Sequence, residues 1–186
     1  VGDTGTIATA TDPTGTWTLG ISEFDLTNIN SVAYGNSVWT IVGDTGTIAT
    51  ATDPTGTWTE RTSGFVATNI NNIIYASGLW IAVGDSGKLA TATDPTGTWT
   101  LGTSGFSTTN ITSAVYSNGI LIIVGNNDTY ATATTLPNPW TKNIYIGLLT
   151  TLTSVAYGNG VWVAVGASGA LLTATDPTGT WTSRTS

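Results

Sequence analysis

An all-β repeat chain is what the sequence predicts, on three observations. The string V-G-D-T-G-T-I-A-T-A-T-D-P-T-G-T-W-T stands letter for letter at 1–18 and again at 42–59, and it returns with few changes from Val83 and Val165 and in worn form from Val124. Trp17, Trp58, Trp99, Trp140 and Trp181 recur every 41 residues, so no insertion or deletion breaks the period. Each period divides into four short apolar runs separated by Gly, Asn, Asp and Pro, which fits four strands and leaves no stretch for a helix. Four strands per roughly 40 residues, each unit ending on an aromatic, is the pattern of β-propeller blades. A solenoid with two rungs per period is the competing architecture.

Residues 1–20 supply the third and fourth strands of a blade. Four-stranded antiparallel blades follow at about 27–67, 68–108, 109–149 and 150–186. The expectation is one propeller domain of five sectors whose N-terminal blade is incomplete, with a four-bladed propeller or a multi-chain ring as alternatives. Within a unit, the run 29–34 closes on Gly35-Asn36-Ser37, and the matching positions read Ser77-Gly78, Asn118-Gly119 and Asn159-Gly160. Asn-Gly between apolar runs is a hairpin signal, because both residues tolerate positive φ. The second runs, 38–42, 79–83, 120–124 and 161–165, are apolar on consecutive residues, as in strands buried on both faces. Asp44-Thr45-Gly46 turns the chain into a third run, 47–52. Asp53-Pro54-Thr55-Gly56 then turns it into a short fourth strand at Thr57-Trp58, with Pro starting a turn rather than filling a ladder position.

Tyr34, Tyr75, Tyr116 and Tyr157 end the first strands, and Trp39, Trp80 and Trp162 sit in the second, with Leu121 in the third copy. Aromatics at repeat spacing read as core. A Trp covers up to about 250 Å², and at about 25 cal/mol per Å² its burial contributes on the order of 6 kcal/mol gross. With 0 Cys there is no disulfide, so packing between blades must hold the fold.

Composition excludes several functions. Four Lys and Arg against eleven Asp and Glu give a net charge of -7. Lys88, Lys142, Arg61 and Arg184 form no basic stripe, so nucleic acid is not an expected partner. No apolar run approaches the roughly 20 residues that span a bilayer, and no membrane contact is expected. A chain with 0 Met that opens inside a repeat is expected to be a processed or excised piece.

The stretch T-D-P-T-G-T-W resembles the Asp-box, the Ser/Thr-x-Asp-x-Gly-x-x-Trp turn of sialidase-type and other bacterial and phage propellers. Asp12, Asp53, Asp94 and Asp176 would be the box aspartates, each five residues before its Trp. Gly15, Gly56, Gly97 and Gly179 come one position late, Ala stands two before each Asp, and the copy at 135–140 has lost both Asp and Gly. The resemblance implies a structural turn and a propeller fold, not an activity. Catalysis in that family places three arginines on a substrate carboxylate, whereas Arg61 and Arg184 are the only two here.

No reaction centre emerges elsewhere. Asp3-Thr4-Gly5 and Asp44-Thr45-Gly46 match the aspartic-protease triplet, but they fall on a predicted hairpin and drift to Asp85-Ser86-Gly87, Asn126-Asn127-Asp128 and Ala167-Ser168-Gly169, as turns do. With 0 His, imidazole nucleophile pairs and imidazole metal sites are absent. The Thr-x-Thr pairs beginning at Thr9, Thr50, Thr91, Thr132 and Thr173 resemble ice-binding ladders. Radially splayed blades break such a lattice, and β-propensity accounts for the threonines.

The expectation is therefore a non-enzymatic repeat propeller with no cofactor and no metal. It would be a structural or assembly module of a larger viral or bacterial protein, at an extracellular or virion surface. Self-association through the hairpin 1–20 is the expected contact, since 1–18 competes with its near-copy at 166–182. The alternative is a multivalent lectin-like module for glycans or another neutral ligand. Its candidate contacts are Asn36, Asn118 and Asn159 on one side and Asp44 and Asp85 on the other.

Overall fold

The computed structural model describes residues 1–22, 24–136, 141–144 and 150–185. Trp140 lies outside them. The chain divides into two units, Val1–Ala82 with Ala90–Leu101, and Val83–Leu89 with Gly102–Ser186.

The strands follow the predicted runs. A two-stranded sheet pairs β1 (Ile7–Thr9) with β2 (Thr18–Gly20). Four four-stranded sheets comprise β3–β6 (Ile29–Gly35, Val38–Gly43, Thr47–Ala51, Thr59–Thr62), β7–β10 (Ile70–Ala76, Leu79–Gly84, Lys88–Ala92, Thr100–Thr103), β11–β14 (Ile111–Ser117, Ile120–Gly125, Thr129–Ala133, Thr141–Ile144) and β15–β18 (Leu152–Gly158, Val161–Gly166, Leu171–Ala174, Thr182–Ser183). Every sheet runs in sequence order, so each is an up-and-down meander.

Turn chemistry sets the register. Asn36 and Ser37, Ser77 and Gly78, Asn118 and Gly119, and Asn159 and Gly160 all have positive φ, giving two-residue type I′ turns between first and second strands. The second-to-third turns use the same geometry at Thr4-Gly5, Thr45-Gly46, Ser86-Gly87, Asn127-Asp128 and Ser168-Gly169. In the last of these families the closing N–H of Thr47 bonds Asp44 O. Ladders then pair Val42 with Ile48 and Trp39 with Ala51.

Second strands carry the core. Ile41, Val42, Trp80, Ile81, Ala82, Leu121, Ile122 and Trp162 are fully buried. In the first unit, Trp58 packs with Ile7, Phe24, Ile29, Ile41 and Ala49, and Trp99 packs with Val42, Ile48, Ile73, Trp80 and Ala90. In the second, Trp181 packs with Ile122, Val124, Tyr130 and Trp162. Each of these three tryptophans thus seals its own sheet against the one before it, as core aromatics at repeat spacing should. Trp17 belongs to the first sheet and is 55% exposed, while Trp58, Trp99 and Trp181 are 3%, 6% and 4% exposed.

The first strands bulge at one position, between Ile29 and Ser31, Ile111 and Ser113, and Leu152 and Ser154. The bulge aims a polar side chain across to the next sheet. Asn30 Nδ2 donates to Ile70 O at 3.0 Å, and Thr112 Oγ1 donates to Leu152 O at 2.6 Å.

Candidate functional site

Because strands alternate in direction, each sheet has two ends bearing different turns. The end with Asp44 is built as a joint. Asp44 accepts from Asn28 Nδ2 at 3.0 Å and Asn30 Nδ2 at 2.9 Å, so both carboxylate oxygens are engaged. Asp85 holds the equivalent turn, half-buried. The exposed N–H of each turn is taken by an Asn from the following repeat: Thr4 N–H donates to Asn28 Oδ1 at 3.1 Å, Thr45 N–H to Asn69 Oδ1 at 3.0 Å, and Ser86 N–H to Asn110 Oδ1 at 3.0 Å. Asn69→Ala should cost about 0.5–1.5 kcal/mol, the net value of one hydrogen bond whose N–H can turn to water, read as a shift of the urea midpoint at constant m.

Asn36, Asn118 and Asn159 lie at the other end of their sheets, exposed and held in the left-handed region that Asn accepts more readily than other non-glycine residues. They are not brought together with Asp44. β4 separates Asn36 from Asp44, and six extended residues span roughly 20 Å.

The Asp-Pro-Thr-Gly turns share the Asn36 end. Asp53 Oδ1 accepts from Thr55 Oγ1 at 2.7 Å and Thr55 N–H at 2.9 Å, and Gly56 N–H closes on Asp53 O at 3.1 Å. Asp12, Asp94 and Asp176 repeat this arrangement. The Thr hydroxyl first, then the Thr N–H, holds each carboxyl below the usual carboxylate range. A depressed native pKa stabilises above the unfolded Asp value, about 3.9, and the gain is lost as pH falls through the lowered native value. Thermal midpoints should therefore hold level from neutral pH to about 5 and fall below about 4. Asp53→Asn should flatten its share of that fall.

Beside these turns lie small hydroxyl-lined hollows at equivalent positions in two sheets. One, of about 160 Å³, is lined by Thr50, Thr52, Thr57, Thr59 and Arg61; the other, of about 290 Å³, by Thr173, Thr175, Thr180, Thr182 and Arg184. Arg61 Nε donates to Thr50 Oγ1 at 3.0 Å and Arg184 Nε to Thr173 Oγ1 at 2.9 Å. Thr50 and Thr132 are buried rather than surface threonines, because the first Thr of each Thr-x-Thr pair sits in the ladder between second and fourth strands.

A larger apolar groove, about 350 Å³, is lined by β1 together with Trp17, Val32, Trp39, Ile41 and Trp58. Val32 is 41% exposed, whereas the residues at its position in the other sheets, Ile73, Ala114 and Val155, are 2%, 6% and 6%. The difference follows from pairing. Among the described residues β5 has neighbours on both sides, and β1 has β2 alone.

Two features of these ends escaped sequence reasoning although the 41-residue spacing marks both. Ser22-x-Phe24, Ser63-x-Phe65 and Ser104-x-Phe106 follow the fourth strands. Each Ser Oγ donates to the turn carbonyl of Gly5, Gly46 or Gly87 at 2.6 Å and accepts the N–H of its buried Phe. The second is the Asn28, Asn69 and Asn110 series. Where that series reads Thr151, the turn glycine is replaced by Asp128, whose Oδ1 accepts Thr150 N–H at 3.1 Å. Its Oδ2 is buried with no hydrogen-bond partner among the described residues.

No family model and no curated protein matches the chain by sequence. Among solved structures, the chain is similar to YCF48 bound to a D1 peptide, at 16% identity and a TM-score of 0.73, over 98% of this chain and 61% of that one. YCF48 from Cyanidioschyzon merolae matches at 14% identity and a TM-score of 0.71, over 99% and 66%. The computationally designed Ika4 protein matches at 14% and 0.65, over 82% and 93%. The chain thus spans about three fifths of the first of these relatives. At such identities the likeness shows the fold alone, and that fold is the predicted all-β propeller.

Proposed function

We propose that the chain is a non-catalytic repeat propeller that serves as a docking module in a larger assembly. The observation that carries this reading is apolar surface left open to solvent: Leu19, Ile21 and Leu26 are exposed where the next repeat reads Glu60, Thr62 and Ala67. The propeller YCF48 is bound to a D1 peptide, which supports a scaffold that accepts a polypeptide. The Asp-Pro-Thr-Gly turns act here as structural punctuation in the manner of the Asp-box.

Light scattering over a concentration series tests the reading, on the chain and on a Leu19→Ser, Ile21→Ser, Leu26→Ser variant whose altered side chains are 75%, 86% and 83% exposed and so outside the core. The mass of the chain should rise with concentration, because an uncovered apolar face self-associates, and the variant should stay monomeric. A chain monomeric throughout contradicts it.

The Thr and Arg hollows favour a second reading, a lectin-like module with a shallow polar site in each of two sheets. A glycan array decides it. Binding lost in Arg61→Ala, with the light-scattering behaviour of a monomer, would put this reading first.

A further inference from the structure

The two arginines of the chain stand in the same setting, one in each unit. Arg61 Nε donates to Thr50 Oγ1 at 3.0 Å and Arg184 Nε to Thr173 Oγ1 at 2.9 Å, which fixes each guanidinium on its own sheet. Neither guanidinium meets a carboxylate or a second acceptor among the described residues, although the chain carries eleven Asp and Glu. The Nε bond occupies one side of the fork. The two terminal nitrogens remain, end-on, at the spacing that receives both oxygens of a carboxylate. The same position reads Gly20, Gly102 and Asn143 in the other copies, so the repeat itself does not demand a cation there.

The Arg61 hollow lies inside the first unit, between its own sheet and Thr96 of the next repeat. Thr52, Thr57 and Thr59 line it, and their exposed hydroxyls have no protein partner among the described residues. Val38 and Ala51 add an apolar patch. Asp94 Oδ1 accepts from Thr96, the larger cause of its lowered pKa, and its carboxyl feels the Arg61 charge without forming an ion pair. One guanidinium in a chain of net charge -7 balances one negative charge, which favours a carboxylate over a phosphate dianion. Hydroxyls that both donate and accept match a polyol ring, and the apolar patch matches its C–H face.

We propose that the Arg61 and Arg184 hollows are subsites for a sugar of the hexuronate class, with its carboxylate end-on to the guanidinium and its ring hydroxyls on the threonines. The inference rests on the lectin-like reading above and names the class of sugar.

The test is an NMR titration of the full chain, in which two arginines give two Nε–H signals and each hollow reports for itself. Methyl galacturonoside should shift both signals saturably. Methyl galactoside, which carries CH2OH in place of the carboxylate, should bind about tenfold or more weakly, the worth of a charge-assisted contact. Acetate, which lacks the ring, should also bind at least about tenfold more weakly. Arg61→Lys keeps the charge and loses the fork. It should weaken the shifts of the Thr57 and Thr59 amides about tenfold and leave the Arg184 titration unchanged, which also shows that the variant folds. Arg184→Lys should give the mirror result at Thr180 and Thr182. Equal affinity for the acid and the neutral galactoside leaves the lectin-like reading standing and overturns the carboxylate subsite, whereas no saturable shift with either sugar overturns both. Acetate or an amidated N-acetyl glutamate that binds as tightly as the sugar acid makes the ligand a carboxylate without a sugar and overturns the proposal. Unchanged binding in both Lys variants overturns it too.

Discussion

Trp58→Ala should destabilise the protein by about 3–5 kcal/mol, the range for removing a buried Trp from a core that only partly collapses, and Trp17→Ala by less than about 1 kcal/mol. The pair is informative because both tryptophans end the same 18-residue string. Trp58 is buried among Ile7, Phe24, Ile41 and Ala49. Trp17 keeps its indole bond to Pro13 O at 3.3 Å and is otherwise open. Local propensity and unfolded-state behaviour are matched between the two sites, so the difference in urea-unfolding free energy measures the change of surroundings, chiefly packing against a neighbouring sheet, with the buried Trp58 indole N–H lacking the bond that Trp17 makes. Equal losses would place the stabilisation in the repeat itself.

Gly43→Ala should cost about 3 kcal/mol, at the upper end of overpacking. A Cβ at Gly43 would stand 2.0 Å from Asn28 O and 2.6 Å from Phe24 Cε1. The approach is needed because the N–H of Asp44 bonds Asn28 O at 3.1 Å where the first strand bulges. The carbonyl cannot retreat without breaking that bond and the Asn28 contacts to Thr4 and Asp44. Gly125 and Gly166 sit equally close to Asn110 O and Thr151 O, at 2.0 and 2.2 Å. Gly158 has nothing within 4 Å and no positive φ, so Gly158→Ala should change stability by less than about 0.5 kcal/mol. Thermal melts of the two variants check the contrast. An unperturbed Gly43→Ala would mean that the bulge is not held as described.

The sequence was most legible where local chemistry decides. The consecutive apolar residues of 79–83 announce a two-faced strand, and Asn118-Gly119 or Asn159-Gly160 a type I′ turn, because periodicity and φ preference are carried by the residues themselves. Asp53 was readable as a turn residue for the same reason. What a polar side chain bonds across sheets was not readable. Asp44 looks like a free contact in the sequence and is engaged by Asn28 and Asn30, which are 16 and 14 residues away. Asn69 and Phe65, unremarked in the sequence, lock one turn and fill the space beneath it. Least legible was the difference between copies, since identical strings at 1–18 and 42–59 can only be told apart by their neighbours.

That difference is the centre of the account, and hydrogen exchange measures it with an internal control. Ile7–Thr9 and Ile48–Thr50 share sequence and hence intrinsic exchange rates, and peptides extending into Leu19 or into Glu60 distinguish the copies. With β1 paired to β2 alone among the described residues and β5 paired on both sides, the amides of Ile7–Thr9 should exchange much faster than those of Ile48–Thr50. Equal protection of the two copies would mean that β1 is covered on both edges in solution, contradicting the unlike surroundings of the two identical strings.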